Sequence, residues 1–174
     1  FVESDCPLAI GSNGIEIASV STPSLGCCSQ ERVSSGVEAL DQMLNGGYFR
    51  CASVLISGTP GTAKTTLAGA FLEAACKRGE KALLVSFDSD PREVVRNLTS
   101  VNVDLAVHVD SGMLHLKAAR TTISSPEIHV LQIRALALKH NIRCIIVDPV
   151  SALVKDSNLD GATAVVERLV EIGR

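Results

Sequence analysis

The chain has 174 residues, 46% hydrophobic and 20% charged, which suits one globular domain with a sizeable core and excludes general disorder. A net charge of −3 and an aromatic share of 3% argue against a protein that grips nucleic acid by bulk charge or stacked rings. There is no apolar run of about 18 residues and no charged leader into an apolar stretch, so neither a membrane span nor a secretion signal is expected.

Residues 1–30 have their own texture. Leu8-Ala9-Ile10 and Ile15-Glu16-Ile17 flank Gly11-Ser12-Asn13-Gly14, and Asn-Gly between apolar runs predicts a hairpin. Ser19 to Gln30 is rich in Ser, Thr, Pro and Gly and reads as a linker. A lone hairpin is marginal in water, so this part is expected to belong to a preceding domain or to the surface of the following one. The chain opens on Phe1 rather than Met, as a fragment or a processed chain does.

From Arg32 strand and helix signals alternate. Ser35 to Leu44 predicts a short helix ended by Gly46-Gly47. Ala52 to Ser57 predicts an apolar strand that enters a Gly-rich turn over 58–66. A helix follows, with Leu67, Ala70, Phe71, Ala74 and Ala75 on its apolar face and Gly79 as its stop. Lys81 to Phe87 predicts a buried strand. Asp90-Pro91-Arg92-Glu93 then supplies a cap, a first-turn Pro and an acid, opening a helix to about Val101. Met113 to Ala118 predicts a third strand and Ser125-Pro126-Glu127 opens a helix through Leu138. Arg143 to Val147 is a fourth strand with Asp148 at its end, and Asp160 to Ile172 a last helix. Short apolar strands alternating with amphipathic helices predict an α/β fold, with a mainly parallel sheet covered on both faces.

The chemistry concentrates in Gly58-Thr59-Pro60-Gly61-Thr62-Ala63-Lys64-Thr65-Thr66. This fits G-x-x-x-x-G-K-[ST], the loop whose backbone N–H groups wrap phosphates at a helix N-terminus. Pro60 to Thr66 are the predicted nucleotide contacts. Lys64 is expected to reach the outer phosphates as a point charge, and the Thr65 hydroxyl to hold Mg²⁺. Ala63 stands where the pattern has Gly, so its backbone is expected to be ordinary. Cys144-Ile145-Ile146-Val147-Asp148 is an apolar strand ending in the acid that orients the Mg²⁺ shell in such sites. Ser151 follows, either near the γ-phosphate or as a plain cap. Asp88, directly after the second strand, is the candidate to orient the attacking nucleophile, and Asp90 reads as a helix cap.

Together these residues resemble the KaiC family, within the RecA-like branch of P-loop NTPases. The carrying segments are 32–41, Gly46-Gly47, the phosphate loop, Phe87-Asp88 with Arg96-Asn97, and Ile146-Val147-Asp148. The resemblance implies that 1–30 end a preceding KaiC-like domain. It implies that 31–174 are an incomplete second ATPase domain lacking the C-terminal part of its core. It further implies ATP and Mg²⁺ as ligands, homo-hexamers with ATP between subunits, slow hydrolysis, and Ser/Thr self-phosphorylation in clock proteins. Regulatory protein partners and a cytoplasmic location go with it. Ser100 aligns with a position that approaches the nucleotide. The family usually has two adjacent glutamates after the second strand, and here they are Asp88 and Ser89. Cys51 departs from a position that is often small or polar.

Six cysteines and four histidines form no C-x-x-C pair at zinc spacing, so the thiols are expected to be reduced and to pack as small hydrophobes. The expected function is an ATP-binding, slowly hydrolysing ATPase with possible autokinase activity in a clock or signalling role. The alternatives are a nucleotide-binding scaffold that has lost catalysis, a RecA-type DNA-dependent ATPase, and a small-metabolite kinase. The acidic balance, pI near 5.8, counts against the DNA-dependent reading.

Overall fold

A computed structural model describes residues 8–11, 14–17, 29–120, 125–154 and 159–172. β1 (Leu8–Gly11) and β2 (Gly14–Ile17) pair antiparallel with Leu8 opposite Ile17, the hairpin that Asn13-Gly14 predicts. Of the predicted linker, residues 19–28 lie outside the described residues.

A second, unpredicted hairpin follows. β3 (Arg32–Val33) pairs antiparallel with β4 (Tyr48–Phe49), with α1 (Glu38–Met43) between them. Asp41 ties this turn together, accepting bonds from the Ser34 hydroxyl and from the Ser35 N–H at 2.7 Å. Burial opposes the Asp41 charge, but these bonds prevail and hold its pKa below the ordinary carboxylate value.

The predicted strand at Ala52 to Ser57 is not a strand. Residues 52–58 carry no ladder bonds and are exposed, with Leu55 at 78%. The sequence supplies the apolar run, but a strand exists only through a neighbour. Among the described residues nothing pairs with this segment.

α2 (Lys64–Lys77) leads out of the phosphate-loop sequence into β5 (Ala82–Ser86). Then come α3 (Pro91–Thr99), the short α4 (Ala106–Asp110), β6 (Leu114–Ala118), α5 (Pro126–His140), β7 (Cys144–Asp148), α6 (Ser151–Val154) and α7 (Leu159–Ile172). The strands form a parallel sheet in the order β6-β5-β7, so β5 is central. All five of its residues are buried, as a strand covered on both faces must be.

Strand alternation sorts the core into two layers. Ala82 and Leu84 join Leu72, Ala75 and Cys76 of α2 and Val95 and Leu98 of α3. Leu83, Val85 and Phe87 join Val130 and Ile133 of α5, Leu153 of α6 and Val165 of α7. This is the predicted α/β architecture with helices on both faces. The buried face of α2 differs from the predicted one: Leu72 and Cys76 are buried, while Leu67, Phe71 and Ala74 are only partly so. Phe71 packs against the first layer and also meets Tyr48 edge-on at 5.5 Å, so the leading hairpin completes its cover.

The leading segment is fastened to the end of α2. Arg50 bridges Glu31 at 2.7 Å and Glu80 at 2.8 Å, and Arg78 meets Glu80 at 3.0 Å and the Ser34 carbonyl at 3.1 Å. Gly36 passes against the backbone of α2 so closely that a Cβ there would lie 2.1 Å from the Ala70 oxygen.

Candidate functional site

The loop 58–63 is exposed and leads directly into α2, whose first residue is Lys64. A 14-residue helix ends its N-terminus in unpaired N–H groups and a partial positive charge, which favours anions. Gly61 has φ +84, a conformation suited to Gly. Ala63, against expectation, is not ordinary. It has φ 60 and ψ 24, in the left-handed region. The turn into α2 demands that geometry whatever residue fills it, at a cost of roughly 1–2 kcal/mol for a residue with a Cβ. The Gly of the loop pattern would adopt it without that strain.

The Lys64 ammonium folds back over the loop, donating to the carbonyls of Gly58 at 2.9 Å and Thr59 at 2.8 Å. The Thr62 hydroxyl also donates to the Thr59 carbonyl, at 2.8 Å. The loop is therefore closed by its own side chains. An anion bound in it would compete for Lys64 with two neutral carbonyls, which are weaker partners than charged oxygens.

Thr65 and Asp148 meet. The Thr65 hydroxyl donates to Asp148 Oδ2 at 2.7 Å, across 83 residues of sequence. β7 carries Asp148 as its last residue, and α2 packs against the sheet through Ala70, Ala75 and Cys76, so strand end and helix start converge. One carboxylate and one hydroxyl suit a hard divalent cation whose remaining ligands are phosphate oxygens and water. Among the described residues no group of three or more His, Cys, Asp or Glu is poised to hold a metal alone.

Asp88 lies at the same rim. Ser86 pairs with Asp148 across the sheet, and the Phe87 N–H donates to the Asp148 carbonyl at 3.2 Å. Asp88 follows, exposed, with no hydrogen-bond or ion-pair partner among the described residues. Asp90 caps α3 as expected, accepting from the Arg92 N–H at 2.8 Å. Ser151 is the first residue of α6.

Ser100 follows the last turn of α3, where its hydroxyl donates to the Asn97 carbonyl at 2.7 Å.

Sequence reasoning missed His129. It lies in the first turns of α5, is 4% exposed, and packs edge-on against Phe87 with ring centroids 5.2 Å apart. No local motif marks it, because the contact joins residues on different elements.

Comparison with known proteins yields one family and a set of relatives. A family model described as "ATPase: KaiC" matches residues 33–172. The circadian clock protein KaiC2 of Synechocystis sp. (strain ATCC 27184 / PCC 6803 / Kazusa) is 36% identical over 167 residues, covering 95% of this chain and 29% of that protein. The circadian clock oscillator protein KaiC of Acaryochloris marina (strain MBIC 11017) is 32% identical over 155 residues, 88% of this chain and 30% of that protein. The protein of the same name from Picosynechococcus sp. (strain ATCC 27264 / PCC 7002 / PR-6) matches with the same identity and coverage. The chain thus spans about three-tenths of the length of these relatives.

Proposed function

The chain belongs to the KaiC family of ATPases, and from that premise we propose that it binds Mg·ATP over residues 58–66 and hydrolyses it slowly. The observation that carries this reading is the meeting of Thr65 and Asp148 at the mouth of a loop that ends in Lys64. In it, Lys64 leaves the Gly58 and Thr59 carbonyls for the outer phosphates. Gly61 to Thr66 wrap the phosphate chain with backbone N–H groups, while Pro60, which has no N–H, shapes the entry to the loop. Thr65 and Asp148 would hold Mg²⁺, which would supply charge neutralisation of the phosphates.

Asp88 orients or deprotonates the nucleophile. Phosphoryl transfer asks for little covalent help, so a single placed carboxylate is worth roughly 10²–10⁴ in rate. Asp is one methylene shorter than Glu, and Ser89 is no second acid. Both favour slow turnover, below the usual median of about 10 s⁻¹. Cations near the loop are few, so a neighbouring subunit supplies one, and the intact protein assembles as a ring, with six subunits the expected number. Self-phosphorylation on Ser or Thr and a clock or signalling role in the cytoplasm, with regulatory protein partners, extend the same reading. A scaffold that binds ATP without hydrolysing it is the second reading, favoured by Asp88-Ser89.

The test is calorimetry of Mg·ATP binding to the intact protein and to Lys64→Ala. Loss of a charge-assisted contact is expected to weaken binding about 10- to 100-fold. Unchanged affinity overturns the site.

A further inference from the structure

A buried imidazole lies beside the acid rim. His129 lies on α5 at 4% exposure. Burial lowers its pKa, a hydrogen bond with the Arg120 backbone partly offsets this, and the charge of Lys117 lowers it further. The ring sits in the core as a flat wedge.

What it wedges is Phe87. The two rings meet at 84° with centroids 5.2 Å apart, the edge-to-face arrangement that aromatic quadrupoles favour. Phe87 is itself buried, at 8% exposure, and joins the α5-side layer with Leu83 and Val85. Its N–H is fixed on the Asp148 carbonyl. Phe87 is thus held twice, by backbone to the strand that ends in Asp148 and by ring to α5. Beyond it the backbone makes no further sheet bond among the described residues, and Asp88 is the next residue. Continuing the strand's alternation puts Asp88 on the side of Ala82, Leu84 and α2.

We infer that His129 is a positioning residue: by bracing the Phe87 ring from α5 it fixes where the Asp88 carboxylate stands relative to Asp148 and the phosphate loop. This rests on the reading of Asp88 as the group that orients the nucleophile. Removing the brace leaves Phe87 free to shift into the space vacated, and Asp88 moves with it. A misplacement of about 1 Å is enough to cost on the order of 10²-fold in rate while the nucleotide's own contacts stay intact.

The experiment is steady-state ATPase kinetics on the intact protein with Mg·ATP, for His129→Ala, His129→Leu, His129→Phe and Asp88→Asn. His129→Ala and His129→Leu are expected to lower kcat about 10- to 100-fold with KM within about twofold of wild type. His129→Phe keeps the ring contact and is expected to restore kcat to within about threefold. A wild-type kcat in His129→Leu overturns the brace, and so does a rise in KM that matches the fall in kcat/KM. Failure of His129→Phe to recover kcat overturns it as well. If His129→Ala does not fold, the Leu and Phe variants decide. Asp88→Asn separates the two claims. If it hydrolyses ATP at the wild-type rate, the reading of Asp88 fails, whereas a dead Asp88→Asn beside a fully active His129→Leu refutes the brace alone.

Discussion

Gly36→Ala tests how the leading segment positions the phosphate-loop helix. A Cβ at residue 36 would lie 2.1 Å from the Ala70 carbonyl oxygen and 2.5 Å from its carbon. Real Cβ contacts keep well beyond 3 Å, so either the segment or α2 has to move by about 1 Å. The Ala70 carbonyl is buried helix backbone, and a rotamer change cannot relieve the clash. Overpacking of this kind costs about 1–3 kcal/mol. Gly36 also has φ +83, which adds roughly 1–2 kcal/mol for an L side chain. The stiffer unfolded chain returns about 0.4–1 kcal/mol. The net loss is about 3 kcal/mol, or a melting point lower by about 6–12 °C in a domain of this size. Gly79→Ala is the control. It has φ +81 and open space around its Cβ, so only strain applies and a loss of about 1 kcal/mol is expected. Thermal melts followed by circular dichroism measure both. Equal losses at the two positions refute the close approach of Gly36 to α2.

Ala63→Gly relieves a left-handed alanine but loosens the unfolded chain, so the unfolding free energy from urea titration is expected to change by less than about 1 kcal/mol in either direction. A larger loss shows that the methyl packs. Asp148→Asn is expected to raise the Mg²⁺ concentration needed for half-maximal ATP binding at least tenfold, since it removes the only charge facing Thr65 in that contact; an unchanged Mg²⁺ titration refutes the pairing's role. His115 stacks against His140 with centroids 4.2 Å apart, and burial, then His140 and Lys81, lowers its pKa below 6.5. The unfolded chain therefore binds the proton more readily, so this contribution to stability is full above about pH 6.5 and is lost as pH falls from there toward the lower folded value. Melts of His115→Phe between pH 5 and pH 7, roughly the range a histidine spans, are expected to show a flatter acid slope, and an unchanged slope refutes it. Cys51 is exposed while Cys76 and Cys144 are buried, with burial pushing the Cys144 pKa up to about 12. Mass spectrometry after brief thiol labelling is expected to find Cys51 modified in the native protein and the other two only after unfolding.

Local chemistry made much of this protein legible before its fold was known. Asp90-Pro91 announces the start of α3 because a cap and a first-turn Pro act within four residues. The apolar run 144–147 announces β7 because a strand buried on both faces can carry little else. The phosphate loop is legible because its spacing serves one backbone shape. Whatever depends on a neighbour was not. Residues 52–57 have a strand's composition, but hydrogen bonds to an adjacent strand make a strand, and among the described residues there are none. Phe71 has the spacing of a core residue on α2 and packs there, but its further contact with Tyr48 of a separate hairpin is marked by no local pattern. Ala63 is a good helix former held in a left-handed turn, because the path from loop to α2 sets φ and the side chain only bears the strain. The bond from Thr65 to Asp148 and the contact of His129 with Phe87 each join separate elements. Sequence period and capping chemistry act over a few residues and determine the elements. The packing of helices on the two faces of β5 decides which side chains meet, because that choice depends on distances between elements that no local pattern encodes.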